Sequence, residues 1–165
     1  MTVQLVVNPA NAFPQEDRSA FVALVKKDPQ VNKETLPGFV DGAHFLAFLR
    51  LDGALSGTCA IKNNRQYQRR LEGNDKAAVS LPDADFFAEI GYLHVDKKQR
   101  GARLGDFLIL GALATVRGKG LFATIQSKNI PSRRLFERYG FTQVGKPWAS
   151  EQKDDQVHLY VRPGR

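Results

Sequence analysis

The chain has 165 residues, of which 42% are hydrophobic and 25% charged, with one cysteine, three histidines and a formal net charge of +7. That size and balance describe one globular domain with a real core and exclude a disordered or collagen-like chain. No apolar run approaches the roughly 20 residues of a membrane-spanning helix. The opening MTVQLVVNPAN lacks the basic start and long apolar centre of a secretory signal, so a cytoplasmic protein is expected.

VQLVV (Val3–Val7) is rich in β-formers and reads as a first strand. Pro14 to Lys27 reads as a helix, with Pro14 suited to its first turn and Phe21, Leu24 and Val25 marking one face. Val31 to Pro37 is ambiguous, with a short second helix as one reading. His44–Leu51 and Ala54–Lys62 give the clearest hairpin signal, because the Asp52-Gly53 between them adopts the positive φ angles of a tight turn. Cys59, in SGTCAIK, has the setting of a buried structural cysteine and, being alone, forms no intrachain disulfide. Asn63 to Asp85 is a long polar insertion with one helical turn at Gln66–Leu71. Insertions of that length in a compact domain are often functional.

FFAEIGYLHV (Phe86–Val95) reads as a buried strand. Leu104 to Val116 is apolar nearly all round, which predicts a helix packed deeply against a sheet. Leu121–Gln126 is the next strand, and Pro131–Tyr139 a helix stopped by Gly140. Phe141–Gly145 and Val157–Val161 are the last strands. Antiparallel strands therefore come first and a strand–helix–strand unit follows, a unit that usually gathers ligands at the carboxyl end of its strand.

QRGARLGDFLI (Gln99–Ile109) lies at that end, between strand and helix. N–H groups at a helix start have no internal partner, and the helix dipole adds positive potential, so together they bind phosphate oxygens. Gly101 and Gly105 let the backbone approach closely, and Arg100 and Arg103 can add charge-assisted bonds. The same residues also suit a plain basic turn. A P-loop is excluded because no GK[ST] occurs, and RGARLG lacks the G-x-G of the dinucleotide fingerprint. His44, His94 and His158 show no metal-ligand spacing, so no metal is expected. The positive charge favours anionic partners. Nucleic acid is not expected, since the chain has no helix-turn-helix, aromatic-rich sheet motif or dense basic tract.

Three motifs in order resemble the GNAT superfamily of N-acetyltransferases. VDKKQRGARLGDFLI is similar to its acyl-CoA pyrophosphate loop, NIPSRRLFERYGF to its second motif, and FAEIGYLHV to its fourth strand. The resemblance covers essentially the whole chain and implies a single GNAT-like domain over residues 1–165. It implies an α/β (α+β) fold with a mixed, mostly antiparallel sheet of six or seven strands, flanked by helices on both faces and splayed between strands four and five. It further implies acetyl-CoA as co-substrate and a primary amine of a small molecule or peptide as acceptor, with no membrane partner and with homodimer formation left open. Backbone groups of Leu93, His94 and Val95 would pair with the pantetheine arm. Arg100, Gly101, Ala102, Arg103, Leu104, Gly105 and Asp106 would hold the pyrophosphate, and Asn129, Ser132 and Phe136 would line the other side. Two departures stand out. Arg103 replaces a small residue of the loop, and Phe136 replaces the tyrosine that many members use to protonate the leaving thiolate, which leaves Ser132 as the alternative donor.

In this reading Glu89 takes the proton that the amine must lose before it attacks. A charge in a strand between Ala88 and Ile90 is costly unless used or paired, so a structural ion pair is the competing role. Strand alternation points His94 away from the side of Glu89, and Tyr92 with it, which makes both packing residues. Trp148 either borders the acceptor or packs. Acceptor specificity would come from Pro29–Gly42, Asn63–Asp85 and Lys146–Gln156. A non-catalytic acyl-CoA-binding protein on the same fold is the alternative.

Overall fold

Asp52 and Gly53 adopt φ of 49° and 84° and close a tight hairpin in the first half of the chain. The computed structural model describes residues 1–151 and 154–165. Its strands are β1 (Val3–Asn8), β2 (Phe45–Leu51), β3 (Ala54–Lys62), β4 (Phe86–Val95), β5 (Gly120–Gln126), β6 (Thr142–Ala149) and β7 (Gln156–Arg162). Its α-helices are α1 (Gln15–Val25), α2 (Leu36–Asp41), α3 (Arg65–Arg70), α4 (Leu104–Thr115) and α5 (Ile130–Arg138). The strands follow the order β1-β2-β3-β4-β5-β7-β6. The β4–β5 pair is parallel, whereas β1–β2, β2–β3, β5–β7 and β6–β7 are antiparallel. This is the mixed, mostly antiparallel sheet with flanking helices that the family resemblance implies. Two compact units divide the chain, 1–63 with 90–117 and 64–89 with 118–165.

In the first unit, β2 pairs with β1 on one side and β3 on the other. Phe21, Val25, Leu36, Val40, Leu46, Phe48 and Ala60 form one apolar cluster. Phe48 is its hub, with the rings of Phe13 and Phe21 at 4.4 Å and 5.5 Å. α2 begins later than the ambiguous Val31–Pro37 stretch suggests. The Asn32 carboxamide oxygen accepts from the N–H groups of Glu34 and Thr35, and that local turn holds the chain off the helix until Leu36. α4 corrects a second expectation. It buries one face, Leu104, Leu108, Ile109 and Ala112, while Phe107 and Leu110 stand 49% and 51% exposed. It lies so close to β1 that a Cβ on Gly111 would fall 2.6 Å from Leu5 Cδ2. Cys59 is fully buried, and burial pushes its thiol up to about 12, as expected of an inert structural cysteine.

In the second unit, β4 pairs with β5 from Phe86–Gly120 to Glu89–Phe122. The long insertion is tied down by one residue. Gln68 on α3 is 1% exposed and donates to the carbonyls of Leu81 and Phe86 at 2.8 Å and 3.2 Å. Its amide thereby satisfies backbone groups that the irregular chain leaves over. β6 runs four residues beyond the predicted end at Gly145. That glycine takes φ of 68° at a register shift, and pairing resumes at Trp148–Val157. Trp148 is consequently a core residue, packed with Leu71, Leu81, Phe122 and Leu159.

Candidate functional site

The end of β4 and the loop after it belong to the first unit. Tyr92 has φ of 49°, and its carbonyl accepts from Thr58 Oγ1 at 2.9 Å. This left-handed residue interrupts the two-residue alternation used to orient His94, so that inference does not carry through the strand. Tyr92 itself packs against the first unit's core, with Lys62 Nζ 4.4 Å from its ring centroid. Leu93 and Val95 are half-buried and His94 is buried. Burial holds the His94 imidazole below its ordinary pKa. Asp96 anchors the exit: its N–H donates to Ser56 O at 2.8 Å, while its carboxylate accepts from Lys98 N–H and Lys27 Nζ, both at 3.1 Å. Those two bonds hold the Asp96 carboxyl below the usual range.

Gly101 takes φ of 95° and Arg103 φ of 57°, immediately before the first turn of the 12-residue α4. A non-glycine residue in the left-handed region costs about 1–2 kcal/mol, so the turn is held against a preference. The Arg103 guanidinium lies on Asp106, at 3.2 Å and 3.4 Å, rather than reaching freely outward. Arg100 folds its Nε onto Val95 O at 3.1 Å. Arg100, Gly101, Ala102 and Arg103 are exposed, Gly105 is half-buried, and Leu104 and Asp106 are buried. An exposed turn carrying two guanidinium groups at a helix N-terminus can hold a phosphate group.

Glu89 belongs to the second unit and is 5% exposed. Asn64 Nδ2 donates to its Oε2 at 2.9 Å. Asn64 stands at the N-cap position of α3 yet makes no capping bond, because its side chain is spent on Glu89. Tyr67, one turn on in α3, lies within reach of the Glu89 charge and of the Thr124 side chain. Burial, and then the charge of Glu89, push the Tyr67 hydroxyl up to about 12, so it stays protonated. Thr124 and Gln126 alternate onto one face of β5, and Gln126 Nε2 donates to Ser150 Oγ at 2.9 Å. The sequence does not mark Asn64 or Tyr67 as neighbours of Glu89. The one available signal was the three-residue spacing of Asn64 and Tyr67 in the insertion.

The α5 residues also lie in the second unit. Asn129 caps the helix, its Oδ1 accepting from Ser132 N–H at 3.3 Å. Ser132 is half-buried in the first turn, and Phe136 is buried with its ring edge-on to Phe141 at 5.0 Å. Among the described residues, no three His, Cys, Asp or Glu side chains cluster to hold a metal ion, and no helix is long and apolar enough to cross a membrane.

The sequence matches the Acetyltransferase (GNAT) family over residues 11–141. The chain belongs to the GNAT family. The chemistry of that family is acyl transfer from acyl-CoA. No curated protein matches in sequence. Among solved structures, an acyl-CoA N-acyltransferase from Pseudomonas aeruginosa is similar at 17% identity and TM-score 0.66, with 98% of this chain and 99% of that chain covered. Escherichia coli ElaA is similar at 14% identity and TM-score 0.68, again over 98% and 99%. Arabidopsis thaliana NAA60, solved with a bisubstrate analogue, is similar at 16% identity and TM-score 0.64, over 97% and 98%. Identities this low speak for the fold alone. Within the GNAT fold, the predicted residues Arg100 to Asp106 span the turn and the first residues of α4, and Ser132 and Phe136 lie on α5 behind its N-cap Asn129.

Proposed function

We propose that the protein transfers an acetyl group from acetyl-CoA to a primary amine of a small molecule or peptide by direct attack, with residues 1–165 acting as one acyltransferase domain in the cytoplasm. The observation that carries this reading is the buried carboxylate of Glu89, held by the Asn64 amide in a member of an acyl-CoA-using family. Glu89 accepts the proton that an ammonium must lose to gain a lone pair. The freed nitrogen attacks the thioester carbonyl, a C–N bond forms, the C–S bond breaks, and the sulfur leaves with the electron pair. A backbone N–H from Leu93 to Val95 donates to the oxygen as negative charge develops. The turn Arg100–Asp106 binds the pyrophosphate through N–H groups and Arg100, and Asn129 and Ser132 serve the cofactor from α5.

Phe136 has no proton to give, and its packing against Phe141 makes it part of the core. Ser132 is the hydroxyl left for a donor, although a thiol of pKa about 8.5 leaves readily without one. That same phenylalanine favours the second reading, a non-catalytic acyl-CoA-binding protein. Release of CoA thiol on mixing acetyl-CoA with a panel of primary amines separates the two, run beside thermal unfolding with acetyl-CoA and free CoA. A ligand at about 100 times its Kd adds about 2.7 kcal/mol. Amine-dependent thiol release supports the enzyme. Stabilisation without release supports the binder, and neither overturns both.

A further inference from the structure

α3 carries three arginines, and they are not used alike. Arg65 and Arg69 both reach Asp83, at 3.3 Å and 3.5 Å. Arg70 makes no ion pair among the described residues. Its guanidinium carbon instead lies 5.8 Å from the centroid of the Tyr67 ring. Tyr67 is the residue that feels the charge of Glu89. From its first turn onward, one side of α3 thus offers Asn64 on Glu89, then the Tyr67 ring, then an exposed cation.

We propose that Arg70, presented over Tyr67, selects acceptor amines that also carry a carboxylate. This rests on the acyl-transfer reading, with Glu89 marking where the amine reacts. A guanidinium recognises a carboxylate through two parallel N–H bonds, and cation–π attraction to the Tyr67 ring favours its place beside that residue. A helix rises about 1.5 Å per residue, which sets Arg70 about 9 Å along α3 from Asn64. An amine and carboxylate separated by several bonds, as in an ω-amino acid or the N-terminus of an acidic peptide, fit that spacing. An α-amino acid is shorter. Glu151 opposes the selection, since its negative charge also acts on Tyr67.

The test compares 5-aminopentanoate with pentylamine, which share chain length and amine and differ in the carboxylate. CoA-thiol release should favour 5-aminopentanoate about threefold to fivefold in kcat/KM, the scale of one exposed charged contact. R70A should erase that preference, R70E should invert it, R70K should keep part of it, and E151Q should widen it. Added salt should narrow it, because the pair is exposed. Equal use of the two amines by the unaltered protein, or a preference that survives in R70A, would overturn the assignment. So would failure to acetylate either amine while acetyl-CoA still raises the unfolding temperature. Loss of that stabilisation by acetyl-CoA would instead overturn the transferase reading beneath it.

Discussion

The turn after β4 and the surroundings of Glu89 are built from different material. In the turn, the backbone does most of the work: Gly101 and Arg103 sit in the left-handed region, Asp96 is bonded on three sides, and the N-terminus of α4 follows. Around Glu89, side chains from the insertion converge, as Asn64 and Tyr67 illustrate. In the proposed function the turn binds through N–H groups, a role that tolerates changes in side chain but not in φ. A carboxylate held by side chains tolerates backbone variation in the insertion but not loss of a donor.

That contrast can be broken experimentally. The largest stability effect should come from the scaffold common to any reading of the turn: Leu108→Ala on α4 should cost about 2–5 kcal/mol in urea unfolding, since Leu108 is 0% exposed. Asn64→Ala should lower kcat by about 10–100-fold, the loss of one charge-assisted bond of roughly 1.5–3 kcal/mol, and leave the Kd for acetyl-CoA unchanged. An equal loss of acetyl-CoA binding would mean that the insertion serves the cofactor. Gly101→Val should cost about 1–2 kcal/mol by forcing a β-branched residue to positive φ, and it should weaken acetyl-CoA binding together with stability. Arg103→Ala, by contrast, keeps the same backbone demand and removes an exposed partner of Asp106, so acetyl-CoA affinity should change by only about twofold to fivefold. Titration calorimetry distinguishes the two.

The smallest effect concerns pH. Burial holds the imidazoles of His94 and His158 below the ordinary 6.5. Above that pH both the folded and the unfolded chain carry neutral imidazoles, and the full stability is present. As the pH falls through 6.5 the unfolded chain takes up protons that the folded one refuses, so stability declines until the lower folded-state values are passed. For His94 the neighbouring charges of Asp28 and Asp96 act against this shift, while Arg100 and Lys27 act with it. Unfolding midpoints followed from about pH 8 to pH 5 should fall, and His94→Gln should flatten part of the slope. A rise toward acid would contradict the burial of these rings.

Local chemistry made most elements legible. β4 ends where its pattern ends, and Asp52-Gly53 and Gly140 turn and stop the chain as their residue types require. Where an element answers to distant contacts, reading failed. β6 continues past Gly145 because β7 offers a partner to Trp148 and Ala149. α4 leaves Phe107 and Leu110 exposed although its composition gives no sign of two faces. The turn was legible as a motif because its glycines and arginines stand at a recognisable spacing between a strand and a helix. Asn64 and Tyr67 were not, because nothing in a polar insertion marks which of its residues a buried carboxylate will meet. The predicted acceptor segment Lys146–Gln156 includes Gln152 and Lys153, which lie outside the described residues.

The most direct measurement pairs acetyl-CoA binding with amine-dependent thiol release in Glu89→Gln. Turnover should fall by about 100-fold to 10,000-fold, the scale of a lost general base, with the Kd for acetyl-CoA unchanged. Turnover that persists in Glu89→Gln would contradict that role.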